Sequence, residues 1–129
     1  MLFWIFAVLA LYLVQVFIPS PIRIAQVGIS GYVGSRDELP DLPPLGARAE
    51  RAARNLAESL PFFLAASILC IVLDAETPLA LAGAAVFLAA RIVYLLLYIN
   101  AVPYIRSGAW TIGFVGILMM AWPLFAKLA

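Results

Sequence analysis

Four stretches of this chain, residues 2–29, 48–73, 79–100 and 107–127, each approach the roughly 20 mostly apolar residues that a helix needs to cross a bilayer core about 30 Å thick. Inside lipid no water satisfies the backbone, so a spanning segment must close its own hydrogen bonds as a helix. Of the 129 residues, 66% are hydrophobic and only 12% charged, which leaves little material for a separate soluble domain. The sequence therefore predicts an all-α integral membrane protein, a four-transmembrane-helix up-down bundle with residues 1–129 as one membrane domain. The first stretch carries Gln15, Pro19 and Arg23 in its second half and no small-residue cleavage site after a short apolar core. It reads as a retained helix rather than a signal peptide.

The links between spans sort by charge. Residues 30–46, SGYVGSRDELPDLPPLG, concentrate Gly, Pro and charge and are expected to break the helix; DAETP at 74–78 is short and acidic; AVPYIRSG at 101–108 contains Pro103 and Arg106. Links this short make consecutive helices antiparallel neighbours. Arg36, Arg48, Arg51, Arg54 and Arg106 lie at or near the first and third links, whereas Asp74 and Glu76 occupy the second. The positive-inside tendency then puts the first and third links in the cytoplasm and both ends of the chain on the other side, with Lys127 as the one contrary charge. A net charge of +1 and the lack of a Lys/Arg cluster speak against nucleic acid as a partner.

Several chemistries are excluded by residue type. The chain has no histidine, so zinc sites and Ser-His-Asp catalysis are effectively ruled out, and no metal is expected. Cys70 is the single cysteine and sits in AASILCIVL, with no charged neighbour to favour a thiolate. It reads as a buried inert thiol.

What remains is a set of polar groups in the second and third spans. In RAERAARNLAESLPFF, residues 48–63, Arg48, Arg51, Arg54, Asn55 and Glu58 recur at spacings of three and four and share roughly a 120° arc of one helix. Arg48 and Glu50 suit a helix end reaching lipid headgroups. Asn55 and Glu58 stand deeper, where an ionisable group ordinarily faces a bundle interior or wet cavity and has a partner; Arg54 and Glu58 could supply one for each other. In the third span, Arg91, Tyr94 and Tyr98 share roughly a 60° arc, and Arg91 at mid-span needs a partner, with Glu58 or Asp74 as candidates. Tyr104 and Trp110 fit an aromatic belt. Small residues in LAGAAVFLAA, Gly83 and Ala84 among them, suggest close helix packing within the chain or between copies.

Guanidiniums, one carboxylate, one carboxamide and two phenols at one end of a bundle imply an anionic, zwitterionic ligand with peptide-like hydrogen bonds. Arginines grip carboxylates in bidentate pairs, a glutamate takes an ammonium, and an asparagine pairs with an amide.

The run R-A-x-R-N-x-x-E-x-x-P-F at 51–62, followed by A-R-I-x-Y-x-x-x-Y at 90–98 and P-x-x-R-S at 103–107, resembles the MAPEG family, the membrane-associated proteins of eicosanoid and glutathione metabolism. In span layout the likeness covers nearly the whole chain, and its size is similar to that of the short bacterial members. The resemblance implies a homotrimer with glutathione bound between neighbouring copies near the cytoplasmic face. It implies that Arg51, Asn55 and Glu58 hold the tripeptide, with Arg54 matching a basic position of some members, that Tyr94 and Tyr98 line the same pocket, and that Arg106 closes it; Arg91, on the helix face of those tyrosines, is a further candidate for the pocket. The implied reaction is that of a transferase or peroxidase, in which the glutathione thiolate attacks a lipophilic small molecule or lipid arriving from the bilayer.

Active relatives place an arginine at the cytoplasmic end of the first helix to stabilise the thiolate. Here that region reads VGISGYVGSRDELP, so Arg36 in the link is the first candidate for the role and Arg106 the second, while Arg23 lies further back. Trp110 stands where some members have a tyrosine. A noncatalytic protein with a vestigial pocket is the alternative, and a small exporter coupled through Glu58 is a more distant one. With no organelle-targeting segment, a bacterial inner (plasma) membrane is the expected location.

Overall fold

The computed structural model describes residues 1–35 and 39–127. Among them every regular element is a helix: α1 (Leu2–Phe17), α2 (Pro19–Val33), α3 (Pro44–Val72), α4 (Pro78–Ile99) and α5 (Pro103–Ala126). Four helical stretches are long and apolar enough to cross a membrane, the first being α1 and α2 taken together as Leu2–Val33. The four-helix membrane architecture expected from the sequence is present.

Proline sets the start of four of these helices. Pro19, Pro44, Pro78 and Pro103 each open one, where the absent N–H is not missed and the fixed φ suits the helix. This moves two boundaries from their sequence-based places. The fourth span begins in the link at Pro103, and the second begins at Pro44, so Pro103 and Pro44 initiate helices instead of interrupting a loop. Thr77 adds a cap to α4, its Oγ1 accepting from the Ala80 N–H at 3.2 Å.

The first span is jointed. Pro19 cannot donate to the carbonyl of Gln15, yet Ile18 keeps helical angles (φ −55°, ψ −43°), so the chain passes from α1 to α2 without a loop. Further on, Gly28 takes φ 72°, ψ 172° inside α2, a conformation open to glycine and strained for other residues. The last turn, up to Val33, therefore leaves the axis of the preceding helix while still being helical, where the sequence suggests a loop from residue 30.

Packing follows from small residues. On α3 the buried positions Gly46, Ala49, Ala52, Ala53, Leu56, Phe63 and Cys70 run at helical spacing, and on α4 Ala80, Gly83, Ala84, Phe87, Ala90 and Arg91 do the same. Val8, Leu56, Phe63, Phe87, Ile117 and Met120 form the main apolar core, with the Phe63 and Phe87 rings stacked at 4.6 Å. The closest approach joins α4 to α5, because a Cβ at Gly83 would lie 2.5 Å from the Gly116 carbonyl oxygen and one at Gly116 would lie 2.6 Å from that of Gly83. Gly83 thus makes a close packing contact inside one chain.

Two polar contacts fix the ends. The Met1 ammonium pairs with Glu76, placing the start of α1 beside the α3–α4 turn. At the other end Arg48 Nε donates to the Ile99 carbonyl at 3.0 Å and satisfies one of the carbonyls that the last turn of α4 leaves without an intrahelical donor. Arg48, for which the sequence suggests headgroup contact, is half-buried in this role.

Candidate functional site

The α3 stripe and the first turns of α5 meet the end of α4. Ala49, Ala52, Ala53 and Leu56 turn one face of α3 into the bundle, and this leaves Arg51 and Glu58 on the opposite side of the helix with Asn55 at the edge between the two. Arg51 and Glu58 are exposed and Asn55 half-buried. From α4, Tyr94 and Tyr98 reach the same region, their rings 5.5 Å apart. Pro103 starts α5 early enough to put Arg106 in its first turn.

Tyr98 is the hub. Arg51 Nε donates to its phenolic oxygen at 3.2 Å, while the guanidinium carbon of Arg51 lies 5.7 Å and that of Arg106 4.3 Å from the ring centroid. Two cations thus share one aromatic ring, a cation–π arrangement that holds like charges together. Neither forms an ion pair with a carboxylate among the described residues. Both remain available to an anion.

Arg91 sits deeper. It is 2% exposed, and its Nη1 donates to Asn55 Oδ1 at 2.9 Å. Its guanidinium lies 5.0 Å from the Phe87 centroid and 6.0 Å from that of Tyr94. On the α5 side there is room because residue 113 is glycine: a Cβ there would come within 3.3 Å of Arg91 Nε. The sequence offers Glu58 or Asp74 as partner for this arginine, and the structure corrects both, pairing it with the Asn55 carboxamide. Asp74 lies in the turn at the far end of α3, and Glu58 faces outward.

Arg54 stands apart. It approaches Glu50 at 4.0 Å instead of pairing with Glu58, and it lines a cavity of about 680 Å³ between α1, α2, α3 and the 39–42 segment, together with Tyr12, Ser20, Arg23, Tyr32 and Glu50. Arg36 lies outside the described residues. Of the residues singled out from the sequence, the structure gathers Arg51, Asn55, Arg91, Tyr94, Tyr98 and Arg106 at one end of the α3–α4–α5 packing. Glu58 stands on the outer face of α3 with no ion pair among the described residues.

Other contributors are not apparent from the sequence pattern. Gly113 has no motif around it and matters only because Arg91 comes to rest against it. Arg23 donates to the Pro40 carbonyl and, at 3.1 Å, to Gln26 Oε1, and Gln26 Nε2 donates to the Asp41 carbonyl at 2.8 Å, so this pair latches the 39–41 segment onto α2. A cation in the second half of an otherwise apolar span was its only signal. Cys70 is buried, with a long contact from its sulfur to the Met120 carbonyl at 3.5 Å.

No curated protein and no solved structure matches the chain. The family model described as MAPEG family matches residues 1–126, which takes in all four spans and every arginine and tyrosine of the cluster. This chain belongs to the MAPEG family.

Proposed function

We propose that the protein is a membrane-bound glutathione-dependent transferase or peroxidase that works as a homotrimer, with glutathione held between copies at the cytoplasmic end of the bundle. The observation that carries this reading is the pair of guanidiniums, Arg51 and Arg106, set about Tyr98 without a carboxylate partner among the described residues. Such a pair suits a ligand carboxylate, and Glu58, two turns further along the same side of α3, suits an ammonium. The MAPEG family includes glutathione-dependent enzymes, and glutathione has these charges. The exposure of Arg51, Arg54 and Glu58 on a single copy supports assembly, because charged side chains on a spanning helix call for cover by protein or a wet cavity.

In this mechanism the tripeptide thiol loses its proton to water and the remaining thiolate is stabilised by a guanidinium. With an electrophile, sulfur forms a bond to carbon and a leaving group departs or a strained ring opens. With a hydroperoxide, sulfur attacks the terminal oxygen and the alcohol leaves, and a second glutathione then forms the disulfide with loss of water. A free thiol has a pKa of about 8.5, so a nearby positive charge raises the reactive fraction at neutral pH. Arg106 is the described residue suited to the role, with Arg36 the other candidate. The apolar outer faces of the spans admit a lipophilic second substrate from the bilayer, and binding both reactants supplies the proximity effect.

A noncatalytic member with a ligand pocket is the second reading. It is favoured by Arg23, the described arginine of the first span, which is committed to Gln26 and the Pro40 carbonyl. The test is ultraviolet difference absorbance at the thiolate band, with glutathione titrated into detergent-purified protein across pH. A saturable signal with a lowered pKa, lost in Arg51→Ala and Glu58→Gln, supports the enzyme. Calorimetric binding without that signal supports the second reading, and no binding by either method overturns both.

A further inference from the structure

We infer that Arg91 is a positioning residue that fixes the Asn55 carboxamide with its oxygen inward and its NH2 outward, so that Asn55 reads a hydrogen-bond acceptor on the ligand. The identification of that ligand as glutathione rests on the function proposed above. The orientation itself rests on the Arg91–Asn55 contact.

A guanidinium carries five N–H donors and no acceptor, so the atom of Asn55 that meets it must be the carbonyl oxygen. The contact is 2.9 Å from Nη1. An amide turned over would set NH2 against a buried cation, which is repulsive, so the orientation is dictated by chemistry as well as by distance. The Asn55 NH2 has no hydrogen-bond partner among the described residues, and the residue is half-buried, lying along α3 between Arg51 and Glu58. It is left as a donor in the region where a ligand would lie.

Arg91 cannot take the ligand itself. At 2% exposure it is enclosed by the Phe87 and Tyr94 rings and by the α5 backbone at Gly113. Its Nε is buried without a hydrogen-bond partner, and no carboxylate neutralises it among the described residues. A buried cation held by one amide and two rings is costly, which favours a role beyond packing. What it reaches is Asn55 and the face of Tyr94, whose ring lies 5.5 Å from that of Tyr98. The consequence is specificity: Asn55 selects a carbonyl or carboxylate oxygen of the ligand, not an amide N–H.

Asn55 and Asn100 are the chain's two asparagines, so protein labelled with 15N-asparagine gives two side-chain NH2 signals, and Asn55→Asp assigns them. The Asn100 NH2 donates to the Leu96 carbonyl at 2.8 Å and serves as internal reference. In detergent micelles, Arg91→Met is expected to move or broaden the Asn55 signals, leaving Asn100 in place, and Arg91→Lys is expected to keep them near their wild-type position. Asn55→Asp retains an acceptor for Arg91 but deletes the outward donor. It is expected to hold or raise the melting temperature while weakening glutathione binding by about tenfold or more. Unchanged Asn55 signals in Arg91→Met would overturn the inference, as would wild-type glutathione affinity in Asn55→Asp. If the Asn55 signals respond to Arg91→Met but not to glutathione in the wild-type protein, the orientation stands and glutathione is the wrong ligand.

Discussion

Arg51 and Tyr98 are joined by a hydrogen bond of 3.2 Å from guanidinium Nε to phenol oxygen, linking α3 to α4 at the end where Arg106 of α5 covers the same ring. The bond spends one donor of Arg51 on the protein and leaves its terminal NH2 groups to a ligand, which is how a flexible cation becomes a directed one. Tyr98→Phe removes the acceptor but keeps the ring under Arg106. It is expected to weaken glutathione binding about three- to tenfold by calorimetry, with Arg51→Ala weaker still.

Arg106 is expected to act on the thiol more than on affinity. Replacing it by Leu deletes a positive charge from the cluster, and bound glutathione should then titrate near the free value of about 8.5. The thiolate band followed across pH reads this directly, and a wild-type titration curve in Arg106→Leu would assign the role elsewhere.

The Gly83–Gly116 crossing leaves no space for a methyl group on either side. A Cβ at either position would meet the other's carbonyl oxygen at 2.5 or 2.6 Å, which is backbone and cannot swing aside. Gly83→Ala and Gly116→Ala should each destabilise the fold by about 1–3 kcal/mol, seen as a lower melting temperature in detergent.

Ala101 adopts φ 59° just beyond α4, a left-handed conformation that costs a non-glycine residue roughly 1–2 kcal/mol. Ala101→Gly relieves that strain but loosens the unfolded chain, so a net gain of about 0.5 kcal/mol or more in stability is expected. A lower melting temperature in the variant would contradict the strain.

The latch on α2 predicts a local effect without a global one. Arg23→Ala combined with Gln26→Ala removes the hydrogen bonds that hold the Pro40 and Asp41 carbonyls. Limited proteolysis at the 39–41 segment should accelerate severalfold while the melting temperature changes by little, because these contacts are exposed.

The sequence by itself determined the spans and which residues share a helix face. Apolar runs of membrane length leave the backbone one way to satisfy itself, and a repeat of three and four places Arg51, Asn55 and Glu58, or Arg91, Tyr94 and Tyr98, on one side of a helix without reference to the rest of the fold. Even the helix starts were legible in retrospect, since Pro44, Pro78 and Pro103 mark them; Pro44 and Pro103 read as breakers only because proline both ends and begins helices.

Partners were a different matter, because they depend on how one helix is rotated and shifted against another, which spacing along a chain does not encode. Glu58 and Asp74 were electrostatically plausible counterions for Arg91, yet the small residues along α3 and α4 and the gap at Gly113 bring Asn55 to it instead. Arg54 extends towards Glu50 and the cavity between α1, α2 and α3 instead of towards Glu58, and the packing of α4 on α5 sets Gly83 against Gly116. Close packing decided those contacts: atoms that fill space around a buried cation leave it only the partner that geometry permits.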